Sequence, residues 1–453
     1  MKKATIYYHD IGDYLSREDK LEIVHKFKSI GNPSIPWKTL NTNEHGDWIS
    51  QRSDLFDTFI GIEPEKKYDS KSQSFFIAQS LGTASNRDTW VYNFSKKELK
   101  RNIQVTIAHY NEQLEKIKSG EINEPLTDSA KGNWTRDWLN QIKRKKTFGL
   151  EQKEFRVSLY RPFTHTFNYF ADDLNQERYQ LPKLFPDFKS ENKVISITGL
   201  GVNKDFSVII TDKIPDLQLQ ANGQVFPLYY YEERKKQTPG MFDEQRESEF
   251  IRRDGVSDFI LERAKKQYGK NVTKEDVFYY VYGFLHSPEY KELFANDLKK
   301  MLPRLPLVED VKDFWAFSKA GRKLADLHVN YETVPAYDGV KVTGAESKFF
   351  TVEKMRFPKK DQKETINYNS KITIDNIPAE AYQYVVNGKS AIEWIMERYA
   401  VTTHKESGIK NDPNDWATEV GNPRYILNLL LSIINVSVQT VEIVKGLPKV
   451  KFE

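Results

Sequence analysis

The segment DDLNQERYQLPKLF sets Asn175, Gln176, Arg178, Gln180 and Lys183 close together, and DLQLQANGQ carries Gln218, Gln220 and Asn222. A third group places Asn203 beside Lys204. Amide side chains present a donor next to an acceptor, arginine a planar fork of donors and lysine a point charge, so these groups suit hydrogen-bonded recognition of a polar partner. A loop that is polar only because it faces water has the same composition, and both readings stand at this stage.

Bond-breaking chemistry finds less support. The chain has no cysteine, which removes thiol catalysis, disulfides and thiolate metal sites. Its 8 histidines are scattered singly, without an HExxH pair or an acidic cluster on a shared face. No GxxxxGK[ST] loop is present to cradle phosphates, and GLGV at 199–202 lacks the third glycine and the following helix of a dinucleotide turn, so it reads as a loop. Glu63 with Lys66 resembles half of a nuclease motif but sits in a solvated charge cluster.

Lys and Arg total 68 against 64 Asp and Glu, a formal charge of +4 over 453 residues, so an anionic partner must be met by a local patch. Aromatic residues make up 13% of the chain and no Pro- or Gly/Ser-rich linker interrupts it, which favours continuous folding over disorder. The N-terminus lacks a signal-like apolar run and no segment approaches eighteen consecutive apolar residues, so a cytoplasmic protein without membrane contact is expected.

The elements that position the polar groups follow from periodicity. A strand is expected over 4–8, a turn at 11–13 and a helix capped by Ser16 with Asp19 three residues on. A strand met so early points to a sheet whose other strands belong to a longer chain. Leu99, Ile103, Ile107, Tyr110, Leu114 and Ile117 mark one face of a helix over 95–120; Trp134, Trp138 and Ile142 mark a second that ends in the run Lys143–Lys146. From 155 to 231 the runs FRVSLY, THTFNYF, KVISITGL, FSVIIT and QVFPLYYY read as strands between turns. Helical spacing then returns, followed by strands near 349–355 and 371–374, a helix over SAIEWIMERY, and a last helix with Asn422 as N-cap and Pro423 in its first turn.

The stretch DVFYYVYGFLHSPEYKELF is aromatic enough to suggest a stacking surface. Val277, Tyr280, Val281, Phe284 and Leu285 fall instead on one helix face, and Tyr290, Leu293, Phe294, Leu298 and Met301 on another, so the stretch reads as core. His286, in the turn between the helices, is expected to bond a free backbone group at a helix end.

That stretch, continuing into ANDLKKMLPRLPL and AGRKLADLHVNYE, resembles the C-terminal specificity region of the single-chain Type ISP restriction-modification enzymes. GDWISQR, NRDTWVYNF, YRPF, FPLYYY, YNSKITIDNIP, AYQYVVNGKSAIEWIMERY and SGIKNDPNDW extend the resemblance over nearly the whole chain. It implies an α+β fold: a sheet-rich DNA-recognition module combined with helical modules, opening with the tail of a methyltransferase sheet. The modules expected are a junction at 1–104, a helical connector at 105–150, a sheet-rich subdomain at 151–245, a helical subdomain at 246–335 and an α+β subdomain at 336–453.

The resemblance further implies that the chain itself is not an enzyme and binds no cofactor. Nuclease, translocase and N6-adenine methyltransferase would lie upstream in one polypeptide, using ATP, Mg and S-adenosylmethionine. Consistent with this, the Asn/Asp-Pro-Pro-Tyr/Phe motif that grips a flipped adenine does not occur here. The implied partner is double-stranded DNA, with the three polar groups reading base edges. Lys143–Lys146, Arg234 to Lys236, Arg252, Arg253, Lys359 and Lys360 are candidates for phosphates. Lys389 and Ser390, beside Asn387 at the start of the SAIEWIMERY helix, can grip another phosphate, and Ser390 can equally be the helix cap. By the same analogy one ring of the pair Tyr7 and Tyr8 would lie near a flipped base. Two alternatives remain open: a structural connector that docks motor and methyltransferase, and the specificity half of a combined restriction-methylation enzyme without a translocase.

Overall fold

The computed structural model describes residues 4–12, 15–43, 46–48, 52–234 and 249–452. Asp13 of the expected turn, residues 49–51 of GDWISQR, Lys235 and Lys236 of one basic run and the boundary at 245 lie outside the described residues. Contacts divide the chain into two units, Met1–Asp54 and Leu55–Glu453.

In the first unit the strand Ile6–Tyr8 pairs antiparallel with Lys38–Leu40. The helix Arg17–Phe27 starts at the expected capping box, Ser16 accepting from the Asp19 backbone while the Asp19 carboxylate accepts from Ser16. Ile35 is the one buried hydrophobic side chain among the described residues of this unit; Tyr7, Leu21, Val24 and Ile30 are exposed.

The second unit holds two four-stranded sheets. One runs Ile214–Pro215, Phe155–Arg161, Thr164–Tyr169, Tyr92–Asn93, and the other Ser80–Leu81, Gln224–Pro227, Val194–Ile197, Val208–Thr211. Every residue of Val194–Ile197 and Val208–Thr211 is buried, which is why these strands read as unbroken apolar runs rather than as alternating ones. The helix Lys96–Lys118 packs Leu99, Ile103, Tyr110 and Leu114 into one core with Trp138 and Phe148, and it runs straight through the boundary expected at 104.

The helices Lys274–Phe284 and Val311–Val329 pack tightly against each other, with Gly283 and Gly321 at the crossing. A Cβ on Gly321 would stand 1.9 Å from the Tyr279 carbonyl oxygen, so the backbones touch where any side chain would part them. Gly321→Ala should therefore lower the unfolding free energy by about 1–3 kcal/mol, read from urea denaturation, because the clash is with backbone and cannot be relieved by a rotamer. All eight residues from 277 to 284 are buried, so the aromatic stretch is core on every side. His286 Nδ1 bonds the Tyr282 carbonyl at 2.8 Å, in keeping with its expected place at a helix end.

Three expected elements differ. The second helix of that stretch breaks into Pro288–Leu293 and Ala295–Leu298, with Leu293 turned to solvent. Residues 349–355 form no strand; Asn414 bonds both the Val352 amide and its carbonyl, and the Glu353 carbonyl accepts from the Val401 amide. The last helix begins at Tyr425, because the Asn422 side chain takes the Arg424 amide in a turn instead of capping the helix. This helix, Tyr425–Lys445, is long and apolar enough by composition to cross a membrane, and it lies mostly buried in the C-terminal core with Ala391–Arg398.

Candidate nucleic-acid interface

The backbone brings the polar groups together. Thr83 bridges in parallel to Asp216 and Ala84 antiparallel to Glu177, so segments 83–86, 176–177 and 216–218 lie side by side. The Gly199 amide donates to Ala221 at 2.9 Å, and a Cβ at 199 would lie 2.0 Å from the Asn222 carbonyl; the GLGV loop is thus a bed for the loop at 217–222. Asn387, with φ at +48°, donates its amide to Ser207 Oγ at 2.9 Å and its side-chain nitrogen to the Gln218 carbonyl at 3.2 Å. The Lys204 ammonium lies over Gly388. Loops separated by up to three hundred residues therefore share one region of the surface.

The side chains divide into those that face outward and those that hold the loops. Asn203, Lys204, Gln218, Asn222 and Lys183 are exposed, and Lys183 rides over the Tyr68 ring at 4.4 Å. Gln176 is half-buried, and Gln180 is half-buried with its carbonyl taken by the Tyr68 hydroxyl at 3.1 Å. Asn175 is buried and donates to the Tyr169 and Ala171 carbonyls; Gln220 is buried and accepts from Ser207 Oγ at 2.6 Å. Arg178 donates to the Phe170 carbonyl at 3.1 Å and pairs with Asp172. Ser390 caps its helix in a capping box with Glu393, and Lys389 pairs with Glu397. The second set shapes the loops on which the first set is carried.

Behind the face, Arg161 ties two turns together. Its guanidinium donates to Asp216 at 2.6 Å, contacts Asp88 at 3.4 Å and packs on the Tyr160 ring at 3.9 Å. Asp88 also accepts from the Tyr160 hydroxyl at 2.9 Å, and Asp216 accepts from the Gln218 amide at 2.8 Å. Burial pushes the Asp216 carboxyl up to about 7, against the pull of Arg161. One cation thus fixes the spacing of the turns at 85–88 and 216–218.

Residues 74–429 match the family model of the Type ISP C-terminal specificity domain. The chain belongs to that family. The Type ISP restriction-modification enzyme LlaBIII, solved bound to DNA, superposes with TM-score 0.85 at 36% identity, over 99% of this chain and 28% of its own. A nuclease-deletion mutant of the Type ISP enzyme LlaGI, in complex with a DNA substrate mimic, gives 0.82 at 36% identity over 98% of this chain and 33% of its own. DrdV in a DNA complex gives 0.79 at 28% identity, over 98% and 43%. This chain therefore spans less than half the length of each of these relatives. Curated proteins give no match.

In this Type ISP specificity domain the basic runs divide into paired and exposed groups. Lys146 pairs with Asp173 at 2.6 Å, Arg253 with Glu232 at 3.1 Å, and Arg252 lies over the Tyr229 ring, while Lys143, Lys145, Lys359 and Lys360 stand exposed. Among the described residues no three His, Asp or Glu side chains gather as a metal site would require. Sequence reasoning missed Asn86, Asp88, Arg161 and Asp216. The signal lay in NRDTWVYNF and YRPF, which are two sides of the same Asp88–Arg161 contact.

Proposed function

We propose that this chain recognises a specific double-stranded DNA sequence on behalf of a longer Type ISP restriction-modification polypeptide. The observation that carries this reading is the convergence of the 83–86, 176–178, 199–204, 217–222 and 387–389 segments, with outward amides and a lysine on a rigid backing. Asn and Gln amides suit adenine edges, lysine suits phosphate, and preorganised loops lose little entropy on binding. The three DNA-bound relatives support it.

On this reading upstream domains carry N6-adenine methylation and ATP-dependent translocation and cleavage, with S-adenosylmethionine, ATP and Mg, and this chain gives them their address. Asn203, Lys204, Gln218, Asn222 and Lys183 face the duplex, and Asn175, Arg178, Gln180, Gln220, Lys389 and Ser390 hold the loops in shape. The N-terminal unit, which exposes Tyr7, Leu21, Val24 and Ile30 and has two paired strands, is completed by the methyltransferase sheet.

Selection from a random-sequence duplex pool at two salt concentrations tests the proposal. One short motif should be enriched, and affinity should fall with salt at a log–log slope of about −0.9 per neutralised phosphate. Salt-sensitive binding without enrichment would place sequence reading in the upstream domains, and no binding at low salt would make the chain a connector.

A further inference from the structure

The turn at 85–88 is locked from behind. Ser85 and Arg87 are each 1% exposed; Ser85 bonds Asp88, and Arg87 runs inward to the Asn133 carbonyl at 2.9 Å and Thr135 Oγ1 at 2.7 Å. Asp88 is held by Tyr160 and Arg161. Even the Asn86 carbonyl is fixed, accepting from Asn133 Nδ2 at 2.7 Å. Asn86 is the most exposed residue of the turn, on a backbone at φ +52° in the left-handed region that asparagine tolerates better than most residues. A turn braced at every neighbour to display one amide is a preorganised contact element rather than a merely polar loop.

Its neighbour completes a pattern. Asn86 Nδ2 reaches Gln176 Oε1 at 3.4 Å, leaving Asn86 Oδ1 as an acceptor and Gln176 Nε2 as a donor at the edge of the pair. Asn86 and Gln218 both line an open hollow of about 340 Å³. Adenine offers the complement in the major groove, a donating N6 amino group beside the N7 acceptor. We propose that Asn86 and Gln176 form a base-reading pair that selects adenine in the target duplex. This assignment rests on the DNA-recognition reading above and adds to it a residue, a partner and a base.

Duplex selection with the whole chain tests it, comparing wild type with Asn86→Gly, which keeps the left-handed backbone and removes only the amide. Discrimination should drop by roughly 5- to 150-fold at one adenine position, with the other positions and the thermal midpoint unchanged. Gln176→Ala should lose preference at the same position, which keeps the test open if the glycine variant folds poorly. Asn86→Asp should turn the preference there toward cytosine, whose N4 donates to a carboxylate. If the variants read the wild-type motif unchanged, the pair is overturned while DNA recognition stands. A loss of affinity equal for all sequences assigns Asn86 to the phosphate backbone and also overturns it. A wild-type chain that enriches no motif removes the recognition reading, and the pair with it.

Discussion

Arg161→Met should lower the unfolding free energy by an amount that grows above pH 7 and reaches about 3–5 kcal/mol once Asp216 is ionised, because it then strips a buried carboxylate of its partner. Asp216 is 3% exposed, and methionine fills the aliphatic volume without supplying a donor. The Arg161→Met/Asp216→Asn double variant should recover most of the loss, since no fully buried charge is left unpaired and Asp88, partly exposed, keeps the Tyr160 hydroxyl. The pH dependence has a definite sign. Burial pushes Asp216 up to about 7, above an unfolded carboxylate. Its contribution to stability is therefore full below the unfolded pKa and declines as pH rises to the folded one. Without Arg161 the folded pKa moves higher, so the variant should go on losing stability above pH 7 where the wild type no longer does. The slope there is at most about 1.4 kcal/mol per pH unit. Urea denaturation at pH 6, 7, 8 and 9 checks both statements, and a deficit below about 1 kcal/mol at pH 9, or one independent of pH, would remove Arg161 as the clamp.

Helices, strand runs and caps were legible because each is local. Ser16 and Ser390 cap the helices expected after them, and the stripe from Leu99 to Leu114 is buried as its spacing requires. The terminal helix was misplaced by two residues for an equally local reason, since Asn422 can cap a helix or close a turn and its sequence does not distinguish them. The proposed recognition face was legible only as separate polar clusters. Composition shows that Asn175 and Gln218 are amides, but not that one is buried on carbonyls and the other exposed, because that depends on pairings such as Ala84 with Glu177 across ninety-three positions. Asn86 was hidden for the same reason. Its role comes from what Arg87 and Asp88 do behind it, and both act on residues distant in the sequence.

Trp138→Ala is the second change expected to cost about 3–5 kcal/mol, the usual range for deleting a fully buried large aromatic ring. The indole is 0% exposed, stands edge-on to Tyr110, Trp134 and Phe148, and donates Nε1 to the Asp173 carbonyl at 3.0 Å. It also carries the Arg87 guanidinium, centred 4.1 Å from the ring, while burial pushes Arg87 down to about 10. The cation tolerates that burial because its donors are bonded and the ring face offers a cation–π contact in place of water. Removing the ring opens a cavity beside Arg87, lets water compete for its bonds to Asn133 and Thr135, and frees the turn that displays Asn86. The stability loss should therefore be accompanied by weaker discrimination at the position Asn86 reads, with the positions read by Gln218 and Asn222 less affected. Trp138→Phe keeps a ring face under Arg87 and gives up the bond to Asp173, so it should cost less and keep the selectivity. Denaturation followed by duplex selection on the same proteins separates the two effects: equal losses at every position would make Trp138 a core residue only, whereas a local loss would tie core packing to the reading turn through Arg87.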